Sequence, residues 1–108
     1  MPREWLLALT FAPYAGLALW DGWMHGHDRQ VPWREQCLHA AIAVSVAALV
    51  VAAFLQHRAV YVVALVVLVP CALADELGWH GPLAARERRV HAAAYTLLAL
   101  FAIIGWPR

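Results

Sequence analysis

Four times in 108 residues an acidic residue is followed four positions later by a histidine: Asp21/His25, Glu35/His39, Glu76/His80 and Glu87/His91. Seven acids and six histidines scattered over this length would give fewer than one such pair. On an α-helix, residues i and i+4 share a face about 6 Å apart, so each pair presents a carboxylate and an imidazole to one place. Carboxylate oxygen with neutral imidazole nitrogen is a donor set for iron, manganese or zinc; calcium and magnesium favour oxygen alone. The eight residues are therefore read as metal ligands.

The elements that must position them are helices in a bilayer. The chain is 64% hydrophobic and 14% charged, where a soluble domain carries about 25% charged residues. Nearly charge-free apolar runs cover Trp5–Trp20, Cys37–Leu55, Ala59–Ala74 and Val90–Trp106. A full crossing takes about 20 residues, so four transmembrane helices are expected, the shorter ones ending at the lipid interface. The first run lacks a small-residue cleavage site and leads directly into Asp21, so it is expected to be a helix rather than a signal peptide. Six tryptophans near the run boundaries fit an interfacial aromatic belt. Cys37 and Cys71 are read as small buried hydrophobes. The net charge of +1 and the lack of a basic stripe argue against nucleic acid as a partner.

The sequence also repeats. Asp21-Gly-Trp-Met-His25 and Glu35-Gln-Cys-Leu-His39-Ala-Ala return as Glu76-Leu-Gly-Trp-His80 and Glu87-Arg-Arg-Val-His91-Ala-Ala, at offsets of 55 and 52. Gly26 and Pro32 break the first connector, and Gly81 and Pro82 the second. The middle connection, Gln56-His57-Arg58, is minimal. The expected fold is all-α: one integral-membrane four-helix bundle over 1–108, up-down-up-down, from helical-hairpin halves of about 1–56 and 57–108. Its pseudo-two-fold axis runs along the membrane normal. All four pairs then gather at one end, in a deep layer (Asp21, His39, Glu76, His91) and a shallow one (His25, Glu35, His80, Glu87).

Four carboxylates near hydrocarbon cost several kcal/mol each when ionised without compensation. Two divalent cations would neutralise them and use the histidines as neutral ligands. Bridging carboxylates would hold the ions about 3.5–4 Å apart. In this the pattern resembles the di-iron carboxylate four-helix bundles, where two helices each give a Glu and two a Glu-x-x-His, all directed inward. The resemblance covers the eight positions and the bundle logic; here the spacing is i,i+4 and every helix supplies a histidine. It implies a dinuclear centre of two divalent ions per chain, with iron favoured over zinc or manganese.

Tyr14 and Tyr95 lie one to two turns deeper on the inward faces, as candidates to hydrogen-bond a ligand or carry an electron. Asp75, about 100° round the helix from Glu76, is expected to orient a histidine, to pair with an arginine, or to replace Glu76 as ligand. The resulting function is a membrane-embedded di-metal protein with redox or oxygen chemistry on a lipophilic small molecule or quinone. A di-iron oxidoreductase is favoured over a metallohydrolase. A non-catalytic metal-binding or sensing protein, a bis-histidine haem electron carrier and a di-zinc hydrolase are the alternatives. A pocket for a large substrate in so small a bundle calls for a second copy or a partner protein. The abundance of Arg and Ala, with no Lys, hints at a prokaryotic cytoplasmic membrane. Five arginines near the pairs favour a site on the cytoplasmic side.

Overall fold

The polar ends of the apolar runs fold as helix rather than loop. A computed structural model of the chain describes the backbone of residues 2–28, 33–78 and 85–108, and the side chains of all of these except 21, 22, 24–28, 76–78 and 85–87. Among the described residues there are four α-helices and no strand: α1 Arg3–Asp28, α2 Trp33–Leu55, α3 Arg58–Gly78 and α4 Ala85–Ile104. Leu and Ala recur through all four helices, with Val added in α2 and α3, and both internal prolines are accommodated, Pro13 in α1 and Pro70 in α3. Each proline removes one i→i−4 hydrogen bond, freeing the carbonyls of Leu9 and Val66.

Four crossings are expected from composition, and two of the described helices, α2 and α3 as far as Asp75, are long and apolar enough to make one. The reason lies in the other two sequences. In α1, Thr10, Pro13, Tyr14 and Gly16 dilute the apolar run, and in α4 it begins only after Arg89.

The described helices form two compact units, each pairing a helix of the first sequence half with one of the second. One unit holds α1 and α4; the other holds α2, α3 and the final Gly105–Arg108 segment. Within the second unit, α2 buries Val46, Leu49, Ala52 and Ala53, while α3 buries Tyr61, Ala64 and Leu68. The spacing of three and four residues is the inward stripe of two antiparallel helices. In the first unit the same role falls to Leu7 and Tyr14 on α1 and to Ala94, Leu98 and Phe101 on α4. There Phe11 meets Phe101 with ring centroids 5.4 Å apart. Cys37, expected to be buried, is exposed, because its place on α2 lies off the stripe that Glu35 and His39 begin; Cys71 is half-buried.

The α2–α3 turn is built by two residues. Gln56 adopts φ 54°, the left-handed conformation that lets a helix end in a Schellman motif. Its N–H donates to the Ala53 carbonyl (3.3 Å) and that of His57 to the Ala52 carbonyl (2.9 Å). His57 then starts the next helix: its Nδ1 accepts from the Val60 N–H at 3.3 Å, a side-chain cap on α3. The last residues fold onto this turn. Pro107 is fully buried, its carbonyl accepts from the Arg58 guanidinium (3.4 Å), and the Arg108 N–H donates to Gln56 Oε1 (3.4 Å). The Trp106 ring stands edge-on to Tyr61 at 5.6 Å. A β-branched residue tolerates positive φ worst, so Gln56→Val will destabilise the protein by about 1–2 kcal/mol while Gln56→Gly will not. Thermal unfolding of the two variants in detergent checks this.

Candidate metal centre

The stripe that packs α2 against α3 also carries polar donors at one end. On α2 the inward series Ala53, Leu49 and Val46 continues through His39 to Glu35 in the first turn. On α3 the series Tyr61, Ala64 and Leu68 reaches Asp75, seven residues beyond Leu68. Antiparallel packing brings these two polar ends together. His39 Nε2 donates to Asp75 Oδ1 at 2.9 Å and stands 3.9 Å from Glu35 Oε1. One donor atom from each of Glu35, His39 and Asp75 lies within 4.8 Å of the others.

Burial decides what this group can do. Glu35 and Asp75 are each 1% exposed, and the His39 side chain is 30% exposed. Taking an ionised carboxylate out of water costs several kcal/mol even after relaxation. Helix polarity helps one carboxylate and opposes the other: Glu35 sits at the positive N-terminal end of α2, Asp75 near the negative C-terminal end of α3. A charged His39 would neutralise one of the two negative charges, whereas a divalent ion would neutralise both. The distances suit an ion. Donors on adjacent corners around a metal, each about 2.1 Å from it, lie about 3 Å apart, and donors on opposite corners about 4 Å. The 2.9 Å and 3.9 Å separations are compatible with those two values, the shorter being also an ordinary hydrogen-bond length. The partial exposure of His39 leaves a route from outside to an otherwise buried pair of carboxylates.

The first unit carries the corresponding residues on α1 and α4. His91 is 4% exposed and continues the α4 stripe of Ala94, Leu98 and Phe101. Its ring packs edge-on against Tyr95 at 6.0 Å. Tyr14 is buried on α1 with its ring 5.7 Å from that of Phe11. Asp21 and His25 fall in the last two turns of α1, Glu76 beside Asp75 on α3, and Glu87 in the first turn of α4; their side chains lie outside the described residues, as does His80 altogether.

Of the eight expected ligands, Glu35 and His39 are thus brought together, and Asp75 joins them at the shortest distance. Helix register explains its place. Asp75 follows the buried series at a spacing of seven, while Glu76 is turned about 100° from it. His57 has a part that composition gave no sign of, as the α3 cap. Comparison with protein-family models, with curated proteins and with solved structures gives no match. Fold and site together define an all-helical chain with a carboxylate–histidine group set between two long apolar helices.

Proposed function

We propose that this chain is an integral-membrane metal protein, a four-helix bundle that binds divalent transition-metal ions through Glu35, His39 and Asp75 and their repeat counterparts. Iron is the favoured ion, at two per chain. The observation that carries the reading is the meeting of two fully buried carboxylates and a histidine with all three donor atoms inside 4.8 Å. Residence in the bilayer is supported by the length and apolarity of α2 and α3. It is supported as well by the exposure of Val44 and Val51 on α2 and of Val63, Val66 and Val69 on α3, apolar side chains that lipid would accommodate.

Redox chemistry toward a lipophilic substrate follows from the donor set and the setting. Oxygen donors with few imidazoles hold iron in both its common oxidation states. A site at the polar ends of apolar helices is within reach of molecules dissolved in lipid. Three protein side chains also leave coordination positions for an exogenous ligand, the usual mark of a reactive rather than a structural ion.

Reconstitution with ferrous iron followed by air oxidation separates the functions. The expected result is near-ultraviolet absorption from oxygen-ligated ferric iron that disappears in His39→Ala. An intense Soret band in protein purified from cells would assign the histidines to haem instead. Colourless protein retaining stoichiometric zinc would assign hydrolytic chemistry.

A further inference from the structure

The end of the α2–α3 unit remote from the metal centre gathers positive charge on a fixed frame. Gly105 and Pro107 are buried, and the residues after α4 pack as a strap against the Gln56-His57-Arg58 turn. The strap bonds to that turn through its backbone: the Pro107 carbonyl accepts from Arg58, and the Arg108 N–H donates to Gln56. Arg58 and Arg108 are both exposed. Arg58 uses one N–H on a neutral carbonyl and keeps the rest of its donor fork for another partner. Among the described residues neither arginine forms an ion pair. The acids of this unit are out of reach, since Glu35, Asp75 and Glu76 all lie at its other end, about 25 Å away along α3. Apolar side chains complete the setting. Trp106 is 46% exposed and stands edge-on to Tyr61, while Phe54 and Leu55 are exposed on the last turn of α2. A ring with an apolar body and a polar N–H edge belongs where acyl chains meet headgroups. With α2 and α3 as crossings, the turn stands at one surface of the bilayer.

We infer that this surface is a binding site for the phosphate of an anionic phospholipid, held by Arg58 and Arg108 with its acyl chains beside Trp106. Guanidinium groups pair with phosphate oxygens through parallel N–H bonds, and a membrane surface carries such phosphates at the depth of the ring. The strap favours binding because it fixes the backbones of both arginines before the lipid arrives. A soluble phosphate would gain the charge contacts alone and nothing from Trp106, Phe54 and Leu55, so lipid is the occupant. The inference rests on the membrane reading of α2 and α3 and is independent of the metal centre.

Brominated lipids, which quench tryptophan on contact, test it in phosphatidylcholine vesicles carrying a minor share of phosphatidylglycerol. The emission of Trp106 is isolated as the difference between wild type and Trp106→Phe. The expected result is stronger quenching of Trp106 when the bromine sits on phosphatidylglycerol than when it sits on an equal share of phosphatidylcholine. Arg58→Gln and Arg108→Gln will each lower that preference about fivefold, and the double variant will remove it. Arg108→Gln leaves the strap in place, because its bond to Gln56 uses the backbone. Arg58→Lys keeps the charge and will retain most of the preference. Arg34→Gln, exposed at the other end of α2, will leave it unchanged. Equal quenching by the two lipids in wild type would overturn the inference. So would a double variant that keeps the preference, an equal loss in Arg34→Gln, or displacement of phosphatidylglycerol by inorganic phosphate. Quenching by neither lipid would take the bilayer away from this surface, and the membrane reading would fall with it.

Discussion

Exchanging Glu35 and Asp75 together for leucine will abolish metal binding at the α2–α3 site and make the metal-free protein more stable, by about 1–4 kcal/mol. Both carboxylates are 1% exposed and continue a stripe that is otherwise Val46, Leu49, Ala53, Tyr61, Ala64 and Leu68. Leucine extends that packing and removes two buried carboxyl groups. His39, at 30% exposure, can still be solvated. Buried charge kept at a cost in stability is the signature of a site retained for function. Chemical or thermal unfolding in detergent with a chelator present measures the effect. A double variant less stable than wild type under those conditions would mean that the carboxylates hold the helices together and are not there for an ion.

Saturating wild-type protein with Co²⁺ or Fe²⁺ will stabilise it, because the ion binds the folded arrangement of three side chains from two helices. At a free metal concentration of 100 times Kd, each site contributes about 2.7 kcal/mol, rising by about 1.4 kcal/mol for every further tenfold. Asp75→Asn will lose the part that belongs to the α2–α3 site, since His39 and Glu35 alone come from a single helix and clamp nothing across the pair. A series of melting curves at increasing metal concentration reads this out directly. Equal stabilisation of wild type and Asp75→Asn would assign the effect to metal bound elsewhere.

Much of this arrangement was legible in the residues. Long apolar runs with few breakers announce helices, and the run ends Leu55 and Ala59 placed the shortest connection to within a residue of the observed Leu55 and Arg58. That Glu35 and His39 share a face follows from their spacing alone. What spacing could not decide was the partner across the helix pair. Asp75 and Glu76 are adjacent acids, and the i,i+4 rule favours Glu76 because it lies four before His80. Burial reverses the choice. The inward face of α3 is set by Tyr61, Ala64 and Leu68, and only a helix already packed reveals which of several apolar faces turns inward. In α3, 14 of 21 positions are Val, Leu or Ala, so hydrophobic periodicity carries little phase information there. The turn device at Gln56 was hidden for a different reason: glutamine is an uncommon residue at positive φ, and its place is held by the Schellman bonds and by Arg108.

Metal content is the measurement to make on protein purified in mild detergent without chelators or a polyhistidine tag. Mass spectrometry would count each element per chain in wild type and in the Glu35→Leu/Asp75→Leu protein. Stoichiometric iron, manganese or zinc in wild type, with the α2–α3 share lost from the double variant, is the predicted result. A wild-type chain with no stoichiometric metal, even after reconstitution with each of the three, would contradict it and leave Glu35, His39 and Asp75 as a buried polar cluster in a small helical protein.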